Sequence, residues 1–79
     1  MKQFNGIIHT DEQILLFTFS RVYTTEGEKY FVTVNRNGGF YPFDMKMNST
    51  GKWKVPESAP EWLKSIEEEL SNIVIQNTI

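Results

Sequence analysis

The sequence predicts an α+β fold: an antiparallel meander of four to five strands with one C-terminal helix packed on one face. Three observations predict it. Residues 14–55 alternate strand-forming runs with hairpin chemistry, a capping signal near residue 58 opens an amphipathic segment, and a length of 79 residues suits one domain and not two.

The elements follow in chain order. Residues 2–8 form a weak strand, because Asn5-Gly6 has the form of a turn or a bulge. Residues 14–24, rich in aromatic and β-branched side chains, make a long strand. Glu26-Gly27 offers a tight turn into a strand over 29–36. Asn37-Gly38 is the strongest short hairpin signal and leads into a strand over 40–47. Ser49-Thr50-Gly51 has the form of a three-residue loop, with a last strand over 52–55 that Pro56 ends. The S-x-x-E pattern from Ser58 to Glu61 reads as a capping box, and a helix is expected over 58–76. Trp62, Leu63, Leu70, Ile73 and Val74 fall within ~80° of Ile66 on the helical wheel. Ser65, Ser71 and Asn72 fall on the polar side, and Glu67-Glu68-Glu69 reads as a solvated face. Ile75 lies opposite the apolar stripe.

Turn lengths set register, and register sorts the side chains. A two-residue turn at Asn37-Gly38 pairs Val34 with Tyr41, Val32 with Phe43 and Tyr30 with Met45. The 49–51 loop pairs Met47 with Trp53, and a turn at Glu26-Gly27 pairs Tyr23 with Tyr30 and Phe19 with Val34. The helix-facing side then holds Phe17, Phe19, Tyr23, Tyr30, Val32, Val34, Tyr41, Phe43, Met45, Met47, Trp53 and Val55, with the methionines as core filler. Arg21 falls among them as a misfit, resolved by a bulge near 20–21 or by a position on the rim. Trp53 and Trp62 are expected to pack together and pin the helix. A flat five-stranded sheet is about 24 Å wide and a helix about 10–12 Å, so part of the inner face calls for another cover, most simply a second copy of the chain.

Composition narrows the function classes. The chain is 39% hydrophobic and 14% aromatic, too apolar for a disordered segment. It has no Cys and one His, which excludes disulfides, thiolate metal sites and any site needing two imidazoles. No cofactor, metal site or catalytic set is expected. Neither a membrane span nor a signal peptide is recognisable, so a cytoplasmic location is expected. Charge is divided: residues 1–56 carry seven Lys/Arg against five Asp/Glu, whereas residues 57–79 carry Lys64 against five Glu.

One surface stands out. On the outer side of the sheet Lys29, Lys46 and Lys54 line up across three strands, with Lys52 nearby and Phe31 and Phe40 on the same face. Like charges set opposite one another destabilise a sheet, so folding alone does not explain the row. Lysines that neutralise phosphates beside aromatics that stack on bases are the ingredients of a single-stranded nucleic-acid platform. The plainer reading is that the lysines keep an exposed sheet soluble. Asp44 in the middle of the patch favours the plainer reading. His9, Asp11 and Glu12 group a base with two carboxylates but lack a convergent partner, and read as a turn.

The run Gly51-Lys52-Trp53-Lys54-Val55, followed by Ala59-Pro60-Glu61-Trp62 and residues 68–70, resembles a class of small bacterial proteins of unknown function built as a strand meander with a C-terminal helix. The resemblance covers the chain from about residue 17 onward and implies a fold but no activity. In layout the chain is also similar to single-stranded nucleic-acid binders of the Whirly and Pur-alpha type, with no binding motif matched residue by residue. The function expected is a small non-catalytic domain acting by self-association, as a homodimer, and by partner binding. The alternative is single-stranded nucleic-acid binding through the outer face.

Overall fold

The computed structural model describes residues 3–36 and 38–78. Five strands, β1 (Gln3–His9), β2 (Ile14–Thr24), β3 (Gly27–Arg36), β4 (Gly39–Met47) and β5 (Trp53–Lys54), form one antiparallel sheet in chain order. Two helical pieces follow, α1 (Glu61–Lys64) and α2 (Glu67–Thr78). The fold is the expected α+β meander with its C-terminal helix on the sheet, and the sheet curls into a half-barrel.

The β3–β4 ladder has the register that Asn37-Gly38 predicts, Val34 opposite Tyr41 and Tyr30 opposite Met45. Asn37 itself lies outside the described residues, and Gly38 takes a left-handed φ of 76°. Met47 faces Trp53 and Lys46 faces Lys54 across a loop built on Asn48. The Asn48 side-chain oxygen accepts from the backbone N–H groups of Thr50 and Lys52, and Gly51 supplies the positive φ.

The β2–β3 hairpin differs from expectation. Its turn is Thr25-Glu26, because Thr24 pairs with Gly27. The Thr24 hydroxyl locks that turn, accepting from the Glu26 N–H and donating to the Gly27 carbonyl. Phe19 therefore faces Val32 rather than Val34, and Tyr30 faces Arg21 rather than Tyr23. The slip is two residues, so every side chain keeps its face. Arg21 sits in an unbroken ladder, without a bulge, at the rim of the inner face. Its guanidinium donates to the Tyr30 hydroxyl at 3.1 and 3.2 Å and to that of Tyr23 at 3.2 Å, with Glu28 3.5 Å away.

β1 runs straight through Asn5-Gly6 with no turn or bulge, Gln3 opposite Ser20 through His9 opposite Ile14. The reason for Gly6 is tertiary. A Cβ there would stand 2.8 Å from the two methyl carbons of Ile73 on α2, so the missing side chain lets the helix reach β1.

The helix is also cut differently. It begins at Glu61, with Pro60 in the capping position, extended at ψ 158°, and no side-chain cap; the Ser58 capping box does not form. A break at Ser65–Ile66 separates α1 from α2, and the Ser65 hydroxyl turns back to the Trp62 carbonyl.

Phe17, Phe19, Tyr30, Val32, Val34, Phe43, Met45, Trp53 and Val55 are buried under the helices, joined by Ile8 and Leu15 from the first hairpin. Tyr41 is half-buried, whereas Tyr23 and Met47 lie exposed at the rim. The expectation that a flat sheet leaves a broad inner strip uncovered is thus overturned, because curling brings Phe4 and Ile8 of β1 over the same core that α2 covers. The tryptophans do not pack on each other among the described residues. Trp53 meets Tyr30 edge-on at 4.9 Å and Trp62 meets Tyr41 at 5.9 Å.

Gly6→Ala is expected to destabilise the fold by about 1–3 kcal/mol through overpacking. Adding Ile73→Ala, which removes both clashing groups, should make the pair less damaging than the sum of the singles in urea unfolding.

Candidate binding surface on the outer sheet face

The registers place the outer side chains in rows. Lys29, Lys46 and Lys54 do lie side by side across β3, β4 and β5. Two of the three are already held: Lys29 Nζ contacts Asp44 at 3.0 Å and Lys54 Nζ contacts Glu67 at 2.5 Å. Among the described residues no carboxylate lies within ion-pair distance of Lys46. Lys52 is exposed in the loop before β5, in a cleft of about 180 Å³ shared with Glu67 and Glu68. Phe31 is partly exposed, one residue pair from the lysines and opposite Asp44. Phe40 is 65% exposed but pairs with Asn35, six residues from Lys29 along β3, or roughly 20 Å at strand rise. The six residues singled out in the sequence therefore divide between two ends of the face.

At the Phe40 end the structure gathers residues that sequence reasoning missed. Ile7 faces Leu16 and His9 faces Ile14, and Ile7, Ile14 and Leu16 are 58%, 66% and 53% exposed. The signal was in Ile14-Leu15-Leu16-Phe17, a run apolar on both strand parities, which a one-sided sheet does not require. The outer face thus grades from a charged end, with lysines and their carboxylates, to an apolar end.

Glu67 and Ser71 are the second departure from the sequence reading. Ser71, assigned to the polar side, is buried, and its hydroxyl accepts the Trp53 N–H at 3.0 Å. Glu67, read as solvated, accepts the Val55 N–H at 2.9 Å with one oxygen and Lys54 with the other. Burial alone would push its carboxyl up. The hydrogen bonds from Lys54 and Val55, with the charges of Lys54 and Lys64, outweigh that and hold it below the ordinary 4.5.

His9, Asp11 and Glu12 are exposed around a tight turn closed by the Thr10 N–H on the Gln13 carbonyl. Asp11 and Glu12, without His9, line a cleft of about 210 Å³ with Arg36 and Trp62, where the guanidinium stacks 4.4 Å over the indole. The structure does not bring the three together as an acid–base set. A cleft of about 530 Å³ lies open between the β2–β3 turn and β5, lined by Glu26, Glu28, Lys29, Lys46 and Trp53 among others. Among the described residues no group of three His, Asp or Glu is placed to hold a metal ion, and no helix is long and apolar enough to cross a membrane.

Because the Glu67 carboxyl is depressed in the folded state, its contribution is complete above the ordinary value and is lost as pH falls through the lower folded one. Glu67→Gln keeps an oxygen for the Val55 N–H and removes the charge. It should cost about 1–3 kcal/mol at pH 7, and chemical denaturation should find the gap to wild type closing as pH falls below the ordinary 4.5.

Compared with known proteins, the chain matches no protein family, no curated protein and no solved structure.

Proposed function

We propose that the chain is a non-catalytic binding domain, acting by self-association and partner binding through the apolar end of its outer sheet face. The observation that carries this reading is the clustering of Ile7, Ile14, Leu16 and Phe40, each more than half exposed, at one end of a single face. A large side chain offers ~150–250 Å², so these four present roughly 500 Å². That stands at the upper end of what monomeric proteins leave uncovered without using it. Away from Tyr23 and Met47 at its rim the inner face is filled, and the outer cluster is the broader apolar surface left for a partner.

Nucleic-acid binding through Lys29, Lys46, Lys52 and Lys54 with Phe31 and Phe40 is the weaker reading. Lys46, with no ion-pair partner among the described residues, and the partly exposed Phe31 favour it. Against it, Asp44 and Glu67 neutralise two lysines of the row, and Phe40 stands at the far end.

Two measurements separate these readings. The apolar dye bis-ANS should bind the native protein, and the triple variant Ile14→Thr, Leu16→Thr, Phe40→Thr should bind it at least about fivefold less with its near-UV circular dichroism unchanged. A wild-type protein that binds no dye, or a variant that binds it equally, overturns the proposal. A fluorescent single-stranded oligonucleotide should not bind at low salt; binding that weakens steeply as salt rises reverses the ranking.

A further inference from the structure

The two edges of the sheet are treated very differently. β5 is two residues long, and the N–H groups that it turns away from β4 are taken by Ser71 and Glu67 of α2. β1 is seven residues long. The Thr10 N–H points across the turn to β2, so by strand alternation the N–H groups of Phe4, Gly6 and Ile8 also point to β2. Those of Asn5, Ile7 and His9 then point to the free edge, and no side chain among the described residues accepts from them. Natural edge strands refuse pairing with Lys, Pro, inward charges or bulges. Gln3–His9 has no charged residue, no Pro and no bulge.

We infer that two copies of the chain join edge to edge through β1, antiparallel about a two-fold axis perpendicular to the sheet, into one continuous sheet. The inference rests on the reading of the outer face as a binding surface, and area identifies a second copy as the occupant. One copy offers roughly 500 Å² of exposed apolar side chain, short of the ~800 Å² per side of a standard protein interface. Ile7 is on β1 and Leu16 and Ile14 are on its neighbour β2, within about 10 Å of the joint. A two-fold axis of this direction keeps both outer faces on the same side. The two Ile7 side chains then lie beside the axis while the apolar ends run to opposite ends of the joined strands, and the pair presents about 1,000 Å² on one side, enough for a protein partner. An isologous contact of this kind closes after two copies, because each copy spends its β1 edge on the other.

Sedimentation velocity from about 1 to 100 μM tests this, combined with residue-resolved amide exchange. A dimer is expected, with the Asn5 and Ile7 amides protected in it and exchanging freely on dilution to monomer. Asn5→Pro removes an edge N–H without touching the β1–β2 ladder and should weaken association at least tenfold; Asn5→Val should not. If Asn5→Pro fails to fold, amide exchange of the wild type decides. A monomer throughout, or a dimer whose Asn5 and Ile7 amides stay unprotected, overturns the inference. The dye measurement above separates the two claims: a monomer that still binds bis-ANS removes the β1 pairing and leaves the outer-face reading standing. A dimer with protected edge amides and no dye binding does the reverse.

Discussion

Two side chains of α2 stand where a sixth strand would be. Ser71 and Glu67 accept the outward N–H groups of Trp53 and Val55 at 3.0 and 2.9 Å. The match is geometric. Four residues of helix rise ~6 Å and two residues of strand ~6.7 Å, so acceptors at i and i+4 meet donors at i and i+2. Glu67 also takes the ammonium of Lys54, which lies between the two bonded strand residues. A strand of two residues has little pairing of its own, and this side-chain ladder fixes both its position and the path of α2 across the core.

The rest of the architecture follows from that path. With one flank held on β5, α2 reaches β1 on the other, where Gly6 lets Ile73 come close. Helix and curled sheet then close around Phe17, Phe19, Tyr30 and Trp53, all buried. The inner face is covered within one chain except at its rim, where Tyr23 and Met47 stay exposed. What remains open is the outer face, graded from ion-paired lysines to Ile7, Ile14, Leu16 and Phe40, together with the β1 edge. The candidate surface is thus defined by what the helix has already satisfied as much as by the residues it contains.

Much of the fold was legible in the sequence where local chemistry decides it. Asn37-Gly38 set the β3–β4 register, and with it the alignment of Lys29 with Lys46. The β2–β3 turn was misplaced because the Thr24 hydroxyl, not the glycine, closes it; the even slip preserved the faces. The helix break at Ser65–Ile66 escaped, since apolar periodicity continues through it. Ser71 and Glu67 escaped for a related reason: a wheel sorts residues by polarity, and a polar side chain used to bond a strand looks like one that faces water. The apolar end of the outer face was hidden because Asn5-Gly6, with the form of a turn or a bulge, left the first strand without a register, and only the β1–β2 register sets Ile7 beside Leu16.

By hydrogen-bonding the β5 edge, α2 leaves the outer face and β1 as the open surfaces. Native-state amide exchange at Trp53 and Val55 tests it most directly. If the Ser71 and Glu67 bonds exist in solution, both amides exchange as slowly as those of Val32 and Val34 in the centre of the sheet, and Ser71→Ala speeds exchange at Trp53. Fast exchange at both sites in the wild-type protein, alongside a protected β3, would contradict it.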